Sequence, residues 1–278
     1  MKSIKVLKNR SDIGAGTRGS DMGIDALEIA AINLGSDFFN RYPFEDLPTH
    51  NETVYNKDQN STAKRINFVA KQCERVKNAT VKVLQEGFLP LILSGDHSSA
   101  LGSLAGIQCA FPEQTIGAVW IDAHADLHSP FSTPSGNVHG MPLAAALAID
   151  NIEYKRNEVS DPARLDWERL KNMGTVCPIL KSQHLIYFGV RDIEEEEKEI
   201  MSSNQIKNYP VHEIRYRGLT SCVNEALVQL KDVDLIYISF DVDALDCDLI
   251  SRGTGTPVPK GFDPVEVIDL IKGIQSSG

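Results

Sequence analysis

The sequence has no apolar run approaching the length of a membrane span, and its N-terminus, MKSIKVLKNR, carries only a short apolar patch, too small for a secretory signal core. A membrane or exported protein is therefore not expected, and the expected location is the cytoplasm. Cysteine is sparse: Cys73, Cys109, Cys177, Cys222 and Cys247 are odd in number and scattered, with no paired spacing. They define neither a disulfide framework nor a thiolate zinc site, and most are expected to be small core residues. Positive charge is in deficit. A net charge of -10 argues against nucleic acid and anionic membrane surfaces as partners and suits a cationic ligand. Repeats, low-complexity tracts and Pro/Ser/Gly linkers are also missing, so the 278 residues are expected to form a single domain with a substantial core.

From Ser61 to Glu86 the apolar positions Ala63, Ile66, Ala70, Cys73, Val76, Val83 and Leu84 keep near-helical spacing. This predicts a helix capped by Ser61 or Thr62 and ended by Gly87. Next comes LPLILSGDHSS, an apolar run that breaks at Gly95 and delivers Asp96 and His97. The segments around WIDAHADLHSP, HLIYFGVRD and DLIYISFDVDALD repeat that plan of a short β-branched and aromatic run followed at once by charge. Strands separated by helix-length segments predict parallel pairing through crossovers, hence a layered α/β fold. In such sheets ligands gather outside the carboxyl ends of the strands, where all four polar clusters fall.

One motif is a decoy. GAGTRG, Gly14 to Gly19, fits the dinucleotide fingerprint literally, but the strand candidate Ile4 to Leu7 ends several residues before the first glycine. The fingerprint needs strand, tight turn and helix in immediate succession, so a loop near the site is the expectation instead.

The chemistry lies in three separated segments: His97 in SGDHS, the alternating Asp122, His124 and Asp126, and Asp241 with Asp243 in SFDVDALD. On an extended strand, alternate residues share one face, so the trio would project together. Carboxylates that close repel one another and, taken out of water, must neutralise or find a cation. A single strand-end aspartate reads more simply as a cap or turn residue. Together, four carboxylates and two imidazoles are too many for one tetrahedral zinc and suit two oxygen-preferring divalent ions, manganese first. Two such ions would balance the four carboxylates, and a hydroxide bridging them would leave a site favourable to a cationic substrate.

With the segments SGDHS, DAHADLHSPFSTPSGNVHG, GVRDIEEEE, SFDVDALD and GTGTPV in this order, the chain resembles the ureohydrolase family from about Gly14 to Phe262. Within the family, SGNVHG is most similar to the arginase branch and less so to relatives that cleave agmatine or formiminoglutamate. The resemblance implies a three-layer α/β/α fold with a doubly wound, mainly parallel sheet. It implies one manganese on His97, Asp122, Asp126 and Asp241 and a second on Asp122, His124, Asp241 and Asp243. It further implies that a metal-bridging hydroxide attacks the guanidinium carbon of L-arginine, that Asp126 passes a proton to the leaving amine, and that His139 shuttles protons. Read alone, His139 is equally a surface loop histidine. Ser135 and Asn137 resemble the pair that binds the substrate carboxylate, Glu194 and Glu197 match positions that meet its α-amino group, and Thr256 lies in a turn beside the metals. Glu195 and Glu196 read as a solvated first helical turn, where acids are favoured by the helix dipole. Relatives commonly assemble as trimers or hexamers, so a homo-oligomer is implied.

Three departures stand out. His128 occupies a position where arginases usually carry asparagine, and Glu194 is one methylene longer than the usual aspartate. The third is larger: the sequence ends at Gly278, just after a predicted helix from Pro264 to Ile274, whereas family members continue into another core strand bearing a glutamate near the guanidinium. Two other readings therefore stay open at this point: a ureohydrolase acting on another guanidino or formimino compound, and a non-catalytic, metal-bound relative with an assembly or regulatory role.

Overall fold

Parallel strands buried on both faces need unbroken apolar runs, and the sequence supplies them at Ile116–Ile121 and Leu185–Phe188. The computed structural model describes residues 3–56, 60–250 and 252–276. The chain divides into two compact units, Met1–Pro112 with His128–Ile179, and Glu113–Leu127 with Leu180–Gly278.

The first unit contains β1 (Ile4–Asn9), α1 (Gly23–Asn33), α2 (Phe38–Arg41), β2 (Phe44–Asp46), α3 (Ile66–Gln85), β3 (Leu89–Ser94), α4 (Ala100–Ala110), α5 (Pro142–Ala146) and α6 (Asp161–Lys171). Its three strands pair in the order β2-β1-β3, all parallel. Helix α3 buries Ile66, Val69, Ala70, Cys73, Val76, Thr80 and Val83, a stripe at steps of three and four, and packs on β1, β3 and α4. The α3–α4 contact is close because Gly102 sits against α3: a Cβ there would lie 2.3 Å from the carbonyl oxygen of Cys73. Gly87, at φ 85°, ends the helix as expected. The start differs from expectation. Helix α3 begins at Ile66, and neither Ser61 nor Thr62 caps it. Residues 61–65 form turns instead, with Lys64 N–H donating to the Gly136 carbonyl at 2.8 Å and Arg65 Nε to that of Ile13. Gly136 (φ 74°) permits this, since a Cβ there would meet the Ser61 oxygen at 1.9 Å.

The second unit contains β4 (Ile116–Ile121), β5 (Leu185–Phe188), α7 (Glu195–Ser203), β6 (Lys207–Tyr209), α8 (Val211–Arg217), α9 (Leu219–Gln229), β7 (Leu235–Phe240) and α10 (Pro264–Gln275). Its strands pair in the order β6-β5-β4-β7, again all parallel. The central strands β4 and β5 are buried along their whole length. One core joins Val119, Ile121, Ile186 and Phe188 to Val223 and Ala226 of α9, to Leu230 just after it, and to Val267, Leu270 and Ile274 of α10. The predicted terminal helix forms, started by Asp263, whose carboxylate accepts from Val265 N–H in a capping box with Glu266. All five cysteines are free. Among the described residues no helix is long and apolar enough to cross a membrane.

Candidate metal centre

Strand register brings the acids of the second unit together. Ile121 of β4 pairs with Phe240 of β7, so the next residues, Asp122 and Asp241, leave the sheet side by side at its carboxyl end. Asp241 N–H donates to the Ile121 carbonyl at 2.9 Å, and Asp122 N–H to that of Phe188 at 3.1 Å, which ties the ends of β4, β5 and β7 to one another.

Asp122, His124 and Asp126 do not lie on an extended strand, contrary to the expectation from their alternation. Strand β4 ends at Ile121, and residues 122–124 are bends, not extended chain. Backbone N–H groups turn the segment inward: His124 N–H donates to Asp122 Oδ1 at 2.8 Å, and Asp126 adopts φ 54°, a left-handed conformation uncommon outside glycine. Asp122, His124 and Asp243 nevertheless converge, offering ligand atoms within 4.8 Å of one another. His124 Nδ1 lies 3.2 Å from Asp243 Oδ2 and 3.6 Å from Asp122 Oδ1. Burial opposes a charge on His124, but the carboxylates of Asp122 and Asp243 outweigh it and push its pKa up to about 11. The cluster thus draws in a proton to offset its acids, which is the electrostatic demand a divalent ion meets. Its donors are oxygens and an imidazole nitrogen, the set that suits manganese-like ions. The residues fit a metal centre.

The other candidates fall as follows. Asp126 is buried beside this segment, and Asp241 holds the turn by accepting from Asp243 N–H at 3.0 Å. Thr256 donates its hydroxyl to Asp243 Oδ2 at 2.8 Å, so it sits against a candidate ligand. Glu194 stands at the N-cap of α7 and forms a capping box with Glu197. Glu197 is buried, with one carboxylate oxygen accepting from Leu127 N–H (3.1 Å) and the other from Glu194 N–H (3.3 Å). Burial first, and then the neighbouring Glu194, push its pKa up to about 9. Glu195 is exposed and paired with Lys198, as a solvated first turn should be.

In the first unit, His97 opens the short turn after β3 that Asp96 caps by accepting from Ser98 N–H at 2.9 Å. Asp96 also accepts from Gly14 N–H, and the Gly14 carbonyl accepts from His139 N–H, both near 3 Å. The glycine-rich loop is therefore part of the wall around His139, not a dinucleotide turn. Buried His128 sits with Nδ1 3.3 Å from Ser132 Oγ. Asn137 N–H donates to Ser135 Oγ, while Asn137 Oδ1 accepts from Lys64 Nζ at 3.1 Å.

Sequence reasoning missed four supporting residues. Trp120 Nε1 donates to Asp122 Oδ2 at 2.9 Å, Tyr187 OH to the Ala125 carbonyl at 2.6 Å, and Asp192 Oδ2 lies 3.6 Å from His124 Nε2. Arg191 binds backbone carbonyls around the site. A signal existed for Trp120, which stands two residues before Asp122 and so can share its face. Trp120→Phe keeps an aromatic ring while removing the N–H and part of the ring volume. It should weaken metal binding by roughly 10-fold or more while the fold persists, since partners that orient a ligand govern affinity. Metal titration of the two proteins checks this, and equal affinities would remove Trp120 from that role.

Comparison with known proteins places the chain. The arginase family profile matches residues 3–278, so the chain belongs to the arginase family and is a hydrolase of that class. It is 33% identical to the arginase of Bacillus caldovelox over 265 residues, spanning 94% of this chain and 82% of that one, and 33% identical to the arginase of Bacillus subtilis with nearly the same coverage. The solved arginase from Bacillus caldovelox superposes with a TM-score of 0.82 at 31% identity, covering 100% of this chain and 87% of that one. Formimidoylglutamase from Bacillus subtilis shares the fold at a TM-score of 0.69 and 20% identity, over 98% of this chain and 74% of its own. The parallel sheets and helices are those of the arginase-like α/β fold.

Proposed function

We propose that the protein hydrolyses the guanidinium group of L-arginine to L-ornithine and urea with two divalent ions, manganese by preference. The convergence of Asp122, His124 and Asp243 at the carboxyl end of β4 and β7 carries the reading, in a chain one-third identical to arginases. To these ligands the family resemblance adds His97, Asp126 and Asp241. When bound, the ions supply Lewis acidity and a water acidic enough to act as nucleophile at neutral pH.

The chain's own residues do the rest. Asp126 accepts the proton of the attacking water at its carboxylate and hands it to the leaving amine. His139 exchanges protons with solvent. Ser135 and Asn137 orient the substrate carboxylate through their hydroxyl and amide, and His128 faces the same end. Glu194 meets the α-ammonium. Glu197, whose two oxygens hold Leu127 and Glu194, acts by fixing the acids around it. Thr256 fixes Asp243.

Urea release from a panel of guanidino and formimino compounds with added manganese is the direct test. L-arginine should be turned over best, whereas preference for another compound keeps the chemistry and changes the substrate. Elemental analysis of manganese-saturated protein should return two ions per chain, and one tightly held ion would end the two-metal account. The variants separate roles: His139→Ala should lower turnover by about 10²-fold with metal content nearly unchanged, as for loss of a general acid–base group. His124→Ala should lose metal and activity together. Equal metal loss in both would contradict the assignment of His139.

A further inference from the structure

Away from the metal centre, the first unit carries an open cleft of about 330 Å3 lined by Phe131, Asp150, Ile152, Arg164, Trp167 and Glu168, with Lys155 at its rim. Its charges are arranged in an unusual way. Arg164 and Glu168 stand four residues apart on α6, where opposite charges ordinarily pair, yet no ion pair joins them among the described residues. The Arg164 guanidinium lies 5.4 Å above the Phe131 ring and donates through Nε to the Val159 carbonyl at 3.0 Å; its two terminal nitrogens have no hydrogen-bond partner among the described residues. The acids at the other end are held in place: Lys171, nearly buried, bridges Asp150 (2.7 Å) and Glu168 (2.8 Å), and Asp150 also accepts from Trp167 Nε1 at 2.8 Å. One cation serving two acids leaves that end with one negative charge. Lys155 at the rim pairs with Glu158 at 2.6 Å, and that exposed carboxylate also feels the charge of Arg164 without bonding to it.

The cleft therefore presents a guanidinium fork that no ion pair fills among the described residues at one end, a net negative charge about one helical turn away, and the exposed side chain of Ile152 as its apolar surface, backed by buried Trp167 and Phe131. We infer that it binds a free α-amino acid with an apolar side chain. The carboxylate would take the planar fork of Arg164 in bidentate geometry, the ammonium would face Glu168 and Asp150, and the side chain would cover Ile152. A body of that size suits a cavity of this volume.

Occupancy would be felt along the chain. The cleft wall at 150–157 is tied to residues 129–133 by Arg156 and Asn157 N–H groups, both donating to the Phe131 carbonyl near 3 Å. Asn157 Nδ2 adds bonds to the carbonyls of Pro130 and Thr133, and Asn151 Nδ2 one to Ser132 Oγ. Residues 129–133 lead directly into Ser135 and Asn137. A ligand that fixes Phe131 should stiffen that segment.

The test is calorimetric titration of the full 278-residue chain with L-phenylalanine as probe, beside hydrocinnamate, which lacks the ammonium, and phenethylamine, which lacks the carboxylate. L-phenylalanine should bind saturably in the millimolar range, and both analogues at least about tenfold more weakly. Arg164→Gln, a change on an exposed helix face, should weaken L-phenylalanine by about tenfold or more, and Glu168→Gln by less. Asp122→Asn, which disables the metal centre, should leave this binding intact. Hydrogen exchange at the Arg156 and Asn157 amides should slow when the probe is bound. No saturable binding, binding indifferent to Arg164→Gln, or binding lost in Asp122→Asn would each overturn the inference.

Discussion

Replacing Arg191 with alanine is expected to lower the free energy of unfolding by about 3–5 kcal/mol and to abolish metal retention, the largest single-residue effect expected outside the ligands. The guanidinium donates Nε to the Pro259 carbonyl (3.0 Å), Nη1 to Gly189 (3.1 Å) and Nη2 to Asp243 (2.9 Å), Leu245 (3.3 Å) and Val258 (2.8 Å). One side chain thus fastens the exit of β5 to the turn carrying Asp243 and to the loop that follows Thr256. Burial draws its pKa down, but a guanidinium stays charged, and a charge bonded to several carbonyls is hard to replace. Alanine would leave those carbonyls unsatisfied in a partly buried setting, and the loop would lose the geometry that sets Asp243 against His124. Arg191→Lys should rescue little, because an ammonium is a point donor that cannot reach carbonyls spread across a plane. Urea denaturation and metal analysis of both variants measure the effect. A melt and metal content like the parent's in Arg191→Ala would show that the loop holds itself.

Arg191 also shows where sequence reading stops. The strands preceding the chemistry were legible, because β3, β4, β5 and β7 are apolar runs that end where charge begins, and that contrast is local. The convergence of Asp122, His124 and Asp243 was legible because acids so closely spaced need a physical reason. The partners of Arg191 were not, since they are backbone carbonyls from segments up to 68 residues away and leave no mark on side-chain identity. The start of α3 failed similarly. Its apolar period continues back to Ala63, but tertiary bonds from Lys64 to Gly136 and from Arg65 to Ile13 override local capping. Glu197 was set apart from its neighbours Glu195 and Glu196 only by the family resemblance; its burial and its bond to Leu127 N–H could not be read from a run of acids.

Extending the chain beyond Gly278 by a strand bearing a glutamate, as the family resemblance implies, is expected to raise both the melting temperature and kcat/KM for L-arginine. One observation supports the gain in stability. Strand β7 pairs only with β4 among the described residues, and Ile236 and Phe240 on it are 37% and 40% exposed. Parallel strands of this composition are normally buried on both faces, and an open apolar edge invites association. Each such side chain buried by a further strand would contribute on the order of 1 kcal/mol, at about 25 cal/mol per Å2. The catalytic gain has a separate cause. The substrate's reacting carbon must be fixed against the nucleophile, and a misplacement of about an ångström can cost roughly 10²-fold in rate. A carboxylate against the guanidinium supplies that anchor, so the added glutamate should increase kcat/KM by about tenfold or more, while the same strand carrying glutamine should keep the thermal gain and lose most of the kinetic one. Thermal melts and steady-state kinetics of the three proteins in matched manganese decide the matter. If the 278-residue chain already turns over L-arginine as fast as the extended one, another carboxylate of this chain anchors the guanidinium and the argument for the added strand fails.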